Sequence, residues 1–297
     1  DTIEDLARTL RLALDEEPCS PLVPLRSTGS RPRCFAVHPS GGTVACYDRL
    51  VAHLSPEQPF QALQSRGLTT DDEPYRRIED MASFYLQAVR AAQPRGPYRL
   101  LGWSFGGLVA YEMARQLEAA GDEIALLALL DTHAPGRRPD RDMDDARTLT
   151  RFGRELGLAL DEEELRRLGP DEMLARVAEL AAAAGILPRQ SGLRSLRRFL
   201  GVYKANLGAS QEYLPAAAPL AGPVVFLSAG ELLSPEVAAL AAVDPRRGWS
   251  RYAAAPIRVH TVPGSHVSMV EEPYVRGLAE VLDRILAEAA RESAAGS

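Results

Sequence analysis

From Arg33 onward, short apolar runs alternate with longer stretches in which apolar side chains recur at helical spacing. The short runs are Cys34 to Val37, Phe60 to Leu63, the segment opening at Tyr98, Ile124 to Leu130, Pro223 to Ser228 and Ile257 to Val262, all of strand length. The longer stretches predict helices. One covers about Val44 to Leu54, and another Ile78 to Ala92 with Met81, Tyr85, Ala88 and Val89 on one side. A third carries Val109, Met113 and Leu117 in line, with small Ala110 and Ala114 beside them, and ends at Gly121, a suitable C-terminal cap. The last covers about Tyr274 to Ala289. Strands alternating with helices predict an α/β protein, with a mostly parallel sheet, helices on both faces and ligand sites outside the carboxyl ends of the strands.

The alternation breaks between Gly136 and Ala221, where only helical patterns occur: Leu149, Phe152 and Leu156; Leu174, Val177 and Ala181 after Pro170; and Leu193, Leu196, Leu200, Tyr203 and Leu207. A helical block inserted between strands is expected to form a lid over the carboxyl edge of the sheet, at about 136–221. Arg194, Arg197 and Arg198 on its last helix are either an ordinary solvated face or a dock for an acidic partner. At the other end, Ile3, Leu6, Leu10 and Leu14 line one face of a helix with a Thr2–Asp5 capping box. Pro18, Pro21, Pro24, Gly29 and Pro32 make residues 18–32 read as a linker. The main domain is thus expected at 33–290, with a frayed tail at 291–297.

Composition narrows the class. A hydrophobic content of 46% with 25% charged residues is that of a globular chain, and the net charge of -6 gives no electrostatic case for nucleic acid or an anionic membrane. The longest apolar run, Ile124 to Leu130, suits a strand buried on both faces and is too short for a membrane span. The absence of a cationic segment followed by an apolar one predicts a cytoplasmic protein. Cys19, Cys34 and Cys46 lack metal-site spacing and cannot all pair, in keeping with a reducing compartment. The start at Asp1 predicts a piece excised from something longer.

The chemistry is concentrated in Gly102-Trp103-Ser104-Phe105-Gly106. Placed between a strand and a helix, Gly-x-Ser-x-Gly is a nucleophile elbow, with Gly102 and Gly106 clearing space for a strained Ser104 above the positive end of a helix dipole. A serine needs a base and an acid that orients the base, and the α/β-hydrolase fold presents these in the chain order Ser, Asp or Glu, His. Ser104, Asp131 and His266 satisfy order and strand-end placement together. Glu231, one strand later, and the more distant Asp244 are the alternative acids. Backbone N–H groups of Phe105 and Ser40, the latter in His38-Pro39-Ser40-Gly41-Gly42, are the expected oxyanion donors. The glycines of that loop are expected to let a ligand approach the backbone, and His38 to shape the loop. A metal site joining His38, His133, Asp131 and His266 has no supporting His-x-x-x-His or His-Glu-x-x-His spacing.

Five segments together resemble the type I thioesterase domains of non-ribosomal peptide synthetases: Phe35 to Gly42, Leu63-Gln64-Ser65-Arg66-Gly67-Leu68, Gly102 to Gly107, Leu130-Asp131-Thr132 and Pro263-Gly264-Ser265-His266. The similarity runs from about Pro21 to Ala289, and polyketide synthase thioesterases are more distantly similar. The resemblance implies Asp131 as the acid and a mobile lid, which is long here for the family. It implies no bound cofactor and a peptidyl substrate delivered on the phosphopantetheine arm of an upstream peptidyl carrier domain; residues 1–17 look like the closing helix of one. The chain would pass to Ser104 and leave by macrocyclisation, with or without oligomerisation, or by hydrolysis, and the excised domain would be monomeric. A stand-alone editing thioesterase, an ordinary esterase and a non-catalytic hydrolase-fold binding protein are the competing readings.

Overall fold

The computed structural model describes residues 20–136, 144–155, 158–184, 192–216, 218–231 and 244–295. Seven strands, β1 (Leu22–Arg26), β2 (Cys34–Val37), β3 (Phe60–Leu63), β4 (Tyr98–Trp103), β5 (Ile124–Leu130), β6 (Val224–Ala229) and β7 (Arg258–Val262), form one sheet in the order β1-β3-β2-β4-β5-β6-β7. Every neighbouring pair is parallel except β1 with β3. All seven residues of β5 are buried, and their side chains divide by the two-residue strand period. Leu127 and Leu129 join one core with α2 (Ile78–Ala92) and α3 (Phe105–Ala119), whereas Leu126, Ala128 and Leu130 join the other with α1 (Cys46–His53) and α8 (Val275–Ala295).

Order within the sheet locates the crevice. From β2 the chain turns to β3 on one side, and from β4 it moves to β5 on the other, so the carboxyl ends of the adjacent β2 and β4 diverge and leave an opening between their loops. Tyr47 of α1 straddles this point, donating its hydroxyl to Val37 C=O at 2.6 Å and accepting Trp103 N–H at 3.1 Å.

The insertion between β5 and β6 is helical, as expected: α4 (Asp145–Glu155), α5 (Glu162–Arg166), α6 (Pro170–Ala183) and α7 (Gly192–Glu212). Short α5 was not visible in the periodicity; Asp161 caps it by accepting the N–H groups of Glu163 and Glu164. The insertion builds a hydrophobic cluster that includes Leu149, Phe152, Val177, Phe199 and Tyr203 and takes in Leu68 from the body, with the Phe152 and Phe199 rings 4.3 Å apart. The arginines of α7 are engaged within the chain: Arg194 and Arg198 both bind Asp71 at 2.6 Å, and Arg197 binds Asp171 at 2.8 Å. The three charges expected as a possible dock therefore already have acidic partners.

Two boundary expectations are corrected. Residues 18–32 are not all linker, because Leu22–Arg26 is β1, an edge strand antiparallel to β3. Its Pro24 is tolerated because an edge strand needs ladder bonds on one side only. The predicted frayed tail is helical to Ala295, since Arg99, buried in β4, donates to Ala289 C=O at 3.1 Å and Ser293 Oγ at 2.9 Å. The helix expected at 2–14 lies outside the described residues. No described helix is long and apolar enough to cross a membrane.

Candidate active site

β4 ends at Trp103 and α3 starts at Phe105, so Ser104 alone makes the turn, at φ 56° and ψ -122°. That left-handed backbone is strained for any residue with a side chain and persists only where the surroundings impose it. The glycines around it relieve a collision each. A Cβ on Gly102 would run into the backbone of Gly106 and Gly107, one on Gly106 into the carbonyls of Val37 and His38, and one on Gly107 into Thr132. Gly106 thus lets the start of α3 rest against the exit of β2, which brings the loop at Ser40 beside the elbow.

His266 follows β7 in a loop whose Ser265 N–H is held by Ser268 Oγ at 2.9 Å, and Trp103 Nε1–H binds the His266 carbonyl at 3.0 Å. Its Nε2 lies 3.0 Å from Ser104 Oγ and its Nδ1 2.6 Å from Asp131 Oδ2. A carboxylate only accepts, so Nδ1 carries the proton and Nε2 is free to accept from the serine hydroxyl. Asp131 is almost fully buried at the end of β5, with φ 45°, and its Oδ1 accepts Ala229 N–H at 2.9 Å. Burial alone would raise its pKa; the His266 hydrogen bond and charge, the Ala229 N–H and Arg247 outweigh that and hold it below the usual carboxylate value. The alternative acids are elsewhere. Glu231 is exposed, and Asp244 instead builds a turn by accepting Arg246 N–H at 3.0 Å and Gly248 N–H at 2.6 Å.

The loop after β2 packs against the start of α3, with the His38 and Phe105 rings stacked at 5.9 Å between centroids. Within it Gly42 N–H bonds to Pro39 C=O at 2.9 Å, and at the elbow Gly107 N–H bonds to Ser104 C=O at 3.2 Å. Ser40 N–H has no such backbone acceptor among the described residues, and Phe105, as the first residue of α3, has no carbonyl a turn behind it within the helix. His38, fully buried, donates Nδ1–H to Pro39 C=O at 2.7 Å and meets Tyr85 Oη at 2.7 Å through Nε2. It thereby fixes the peptide that carries Ser40 N–H, the shaping role expected of it. His133 lies near Arg247, its Nε2 3.4 Å from Arg247 Nη1.

A turn of strand into helix with a strained serine, a histidine bridging it to a buried aspartate and an adjacent loop with an unpaired amide at Ser40 can run acyl transfer. A family model described as thioesterase domain matches residues 32–287. The chain belongs to that family. This thioesterase domain is 35% identical over 202 residues to a dimodular nonribosomal peptide synthase of Bacillus subtilis, the match covering 66% of the chain and 8% of the synthase. It is 29% identical to chondramide synthase of Chondromyces crocatus over 98% of the chain and 8% of that protein. The chain therefore spans a small part of the length of these relatives. Among solved structures the domain is similar to a four-domain nonribosomal peptide synthetase bound to AMP and glycine, with a TM-score of 0.82, 31% identity and coverage of 90% of this chain and 20% of the other. It is also similar to the NocB thioesterase domain in covalent complex with a fluorophosphonate nocardicin G analogue, with a TM-score of 0.62, 28% identity and coverage of 88% and 96%.

Two residues of the thioesterase domain's site were not read from the sequence. Arg247 is almost wholly buried, also at a positive φ, and its Nη2 stands 2.8 Å from Asp131 Oδ1, an ion-pair distance without hydrogen-bond alignment. Tyr85 sits on the predicted buried face of α2 but is also the partner of His38. An arginine beside a glycine in a loop, or a tyrosine in an apolar stripe, carries no sequence mark of what it will meet.

Proposed function

We propose that this domain is a chain-releasing thioesterase that takes a peptidyl chain from the phosphopantetheine thioester of an upstream carrier domain onto Ser104. The observation that carries the reading is the continuous contact from Ser104 Oγ through His266 to Asp131, at 3.0 and 2.6 Å, at a strained elbow. His266 Nε2 takes the hydroxyl proton as Ser104 Oγ attacks the thioester carbonyl, and Asp131 stabilises the imidazolium. The N–H groups of Ser40 and Phe105 receive the oxyanion. On collapse the carbon–sulfur bond breaks, the imidazolium returns the proton to the departing thiolate, and the acyl group remains on Ser104. In the second half, water, or an amine or hydroxyl of the chain itself, gives its proton to His266 and attacks the ester; the bond from the acyl carbon to Ser104 Oγ then breaks, the imidazolium returns the proton to that oxygen, and an acid or a macrocycle is released. The synthetase relatives, in which the matched part is a small share of a much longer chain, support delivery by a carrier in the same polypeptide.

The test is mass spectrometry after exposure to a fluorophosphonate, followed by single-turnover assay with a carrier-bound peptidyl thioester. One adduct on Ser104, lost in Ser104→Ala and in His266→Ala, and product release that stops in Ser104→Ala are expected. Release that continues unchanged in Ser104→Ala rules the proposal out.

A further inference from the structure

α7 lies directly on the loop proposed to hold the oxyanion. Phe199, Val202 and Asn206 recur three and four residues apart along one stripe of that helix. A Cβ added to Gly41 would stand 3.0 Å from Phe199 Cζ, and one added to Gly42 would stand 2.6 Å from Val202 Cγ1. The loop's glycines therefore make room for α7. Beyond them Asn206, fully buried, donates Nδ2–H to Ser40 C=O at 2.9 Å. The opposite amide orientation would set two oxygens against each other, so the bond itself assigns it.

The two peptides that meet at Ser40 are thus held from opposite sides. His38, in the body of the domain, fixes the one carrying Ser40 N–H, and Asn206, in the inserted helices, fixes the one carrying Ser40 C=O. Asn206 Oδ1 is buried without a hydrogen-bond partner. An uncompensated buried acceptor destabilises a fold, and packing alone would favour a leucine of the same size here. The amide is explained by the one bond it makes.

We propose that Asn206 is a positioning residue for the oxyanion hole, so that Ser40 N–H is correctly aimed only while α7 is seated on the loop. The base of the insertion is then part of the machinery that stabilises the transition state. This rests on the reading of Ser104 as nucleophile and Ser40 as oxyanion donor.

Asn206→Leu and Asn206→Ala would be assayed on the intact chain with a short N-acetylcysteamine thioester, together with melting temperature and the affinity of an alkylboronic acid, whose tetrahedral serine adduct places an oxygen where the oxyanion forms. Loss of a whole donor lowers rate on the order of a hundredfold or more, and misaiming one lowers it less, so kcat is expected to fall about tenfold in both variants. KM should stay within about twofold while boronate affinity weakens in proportion to kcat/KM, because the change acts on the tetrahedral state. Asn206→Leu should melt no lower than wild type. Unchanged kcat in the folded variants, or a fall in kcat with boronate affinity unaltered, would overturn the proposal. Wild type that neither turns over the thioester nor takes a fluorophosphonate on Ser104 would overturn the proposed function and this inference with it; wild type that does both while the variants match it would overturn this inference alone.

Discussion

Burial keeps the His38 ring neutral, taking its pKa from 6.5 to about 4 against the opposing effect of its bond to Pro39 C=O. Between those values the unfolded chain binds the proton and the folded chain does not, so stability falls as pH is lowered from 6.5 towards 4, by roughly 3 kcal/mol over the whole window. Urea midpoints at pH 7 and pH 4.5 check this: His38→Asn should be less stable than wild type at pH 7 but lose less on acidification, and equal losses would contradict the assignment. Arg247 is the second residue whose effect is readily measured. It and Asp131 are both almost fully buried, but Asp131 keeps the His266 and Ala229 hydrogen bonds when Arg247 is removed. Arg247→Met is therefore expected to lower stability by only about 1–2 kcal/mol, read as a lower urea midpoint at pH 7. Ser104 and His266 could be named from sequence because motif, chain order and strand ends converge on them, whereas Asp131 shared its place with Glu231 and Asp244 until the family resemblance favoured it. Arg247 and Asn206 could not, because each acts on a group more than a hundred residues away, Asn206 on a backbone carbonyl at a separation of 166.

At the level of elements, the central strands and the longer helices were legible because burial imposes a period on them, while short α5 and the last turns of α8 were not. β1 was not, since an edge strand is only partly buried and its Pro24 read as punctuation. Its contribution is nonetheless testable. A chain starting at Pro32 keeps the matched family region but leaves β3 as an open edge, and light scattering should show it associating where the longer chain does not. The far end of α7 is fixed differently. Tyr213, just past it, donates its hydroxyl at 2.7 Å to Glu112 of α3, a buried carboxylate that also receives Arg115 and Gln116. Tyr213→Phe removes one donor from that carboxylate and should lower stability by about 1–2 kcal/mol in thermal or urea unfolding. The paired arginines at the other end of α7 are mostly exposed, and each such pair contributes about 0–1 kcal/mol.

Across the whole molecule, among the described residues, two hydrophobic cores flank the sheet and a third is built by the insertion, with Leu68 of the body as its one contribution from outside. A unit with its own core can open without disturbing its neighbours, and the elements with fewest contacts to the body open at the lowest free energy. Hydrogen exchange should therefore find α4, α5 and α6 exchanging well before β4 and β5, with the part of α7 from Phe199 to Glu212 protected like the body. Uniform protection across the insertion would mean that it opens as one piece.

The glycines under α7 also set a rule for recombining such domains. Because Gly41 and Gly42 are fitted to Phe199 and Val202, helix and loop form a matched pair of parts, complementary like a moulding and its cast. A chimera that takes its inserted helices from one parent and residues 38–42 from another inherits two halves cut to different shapes, whereas exchanging both together transfers the junction intact.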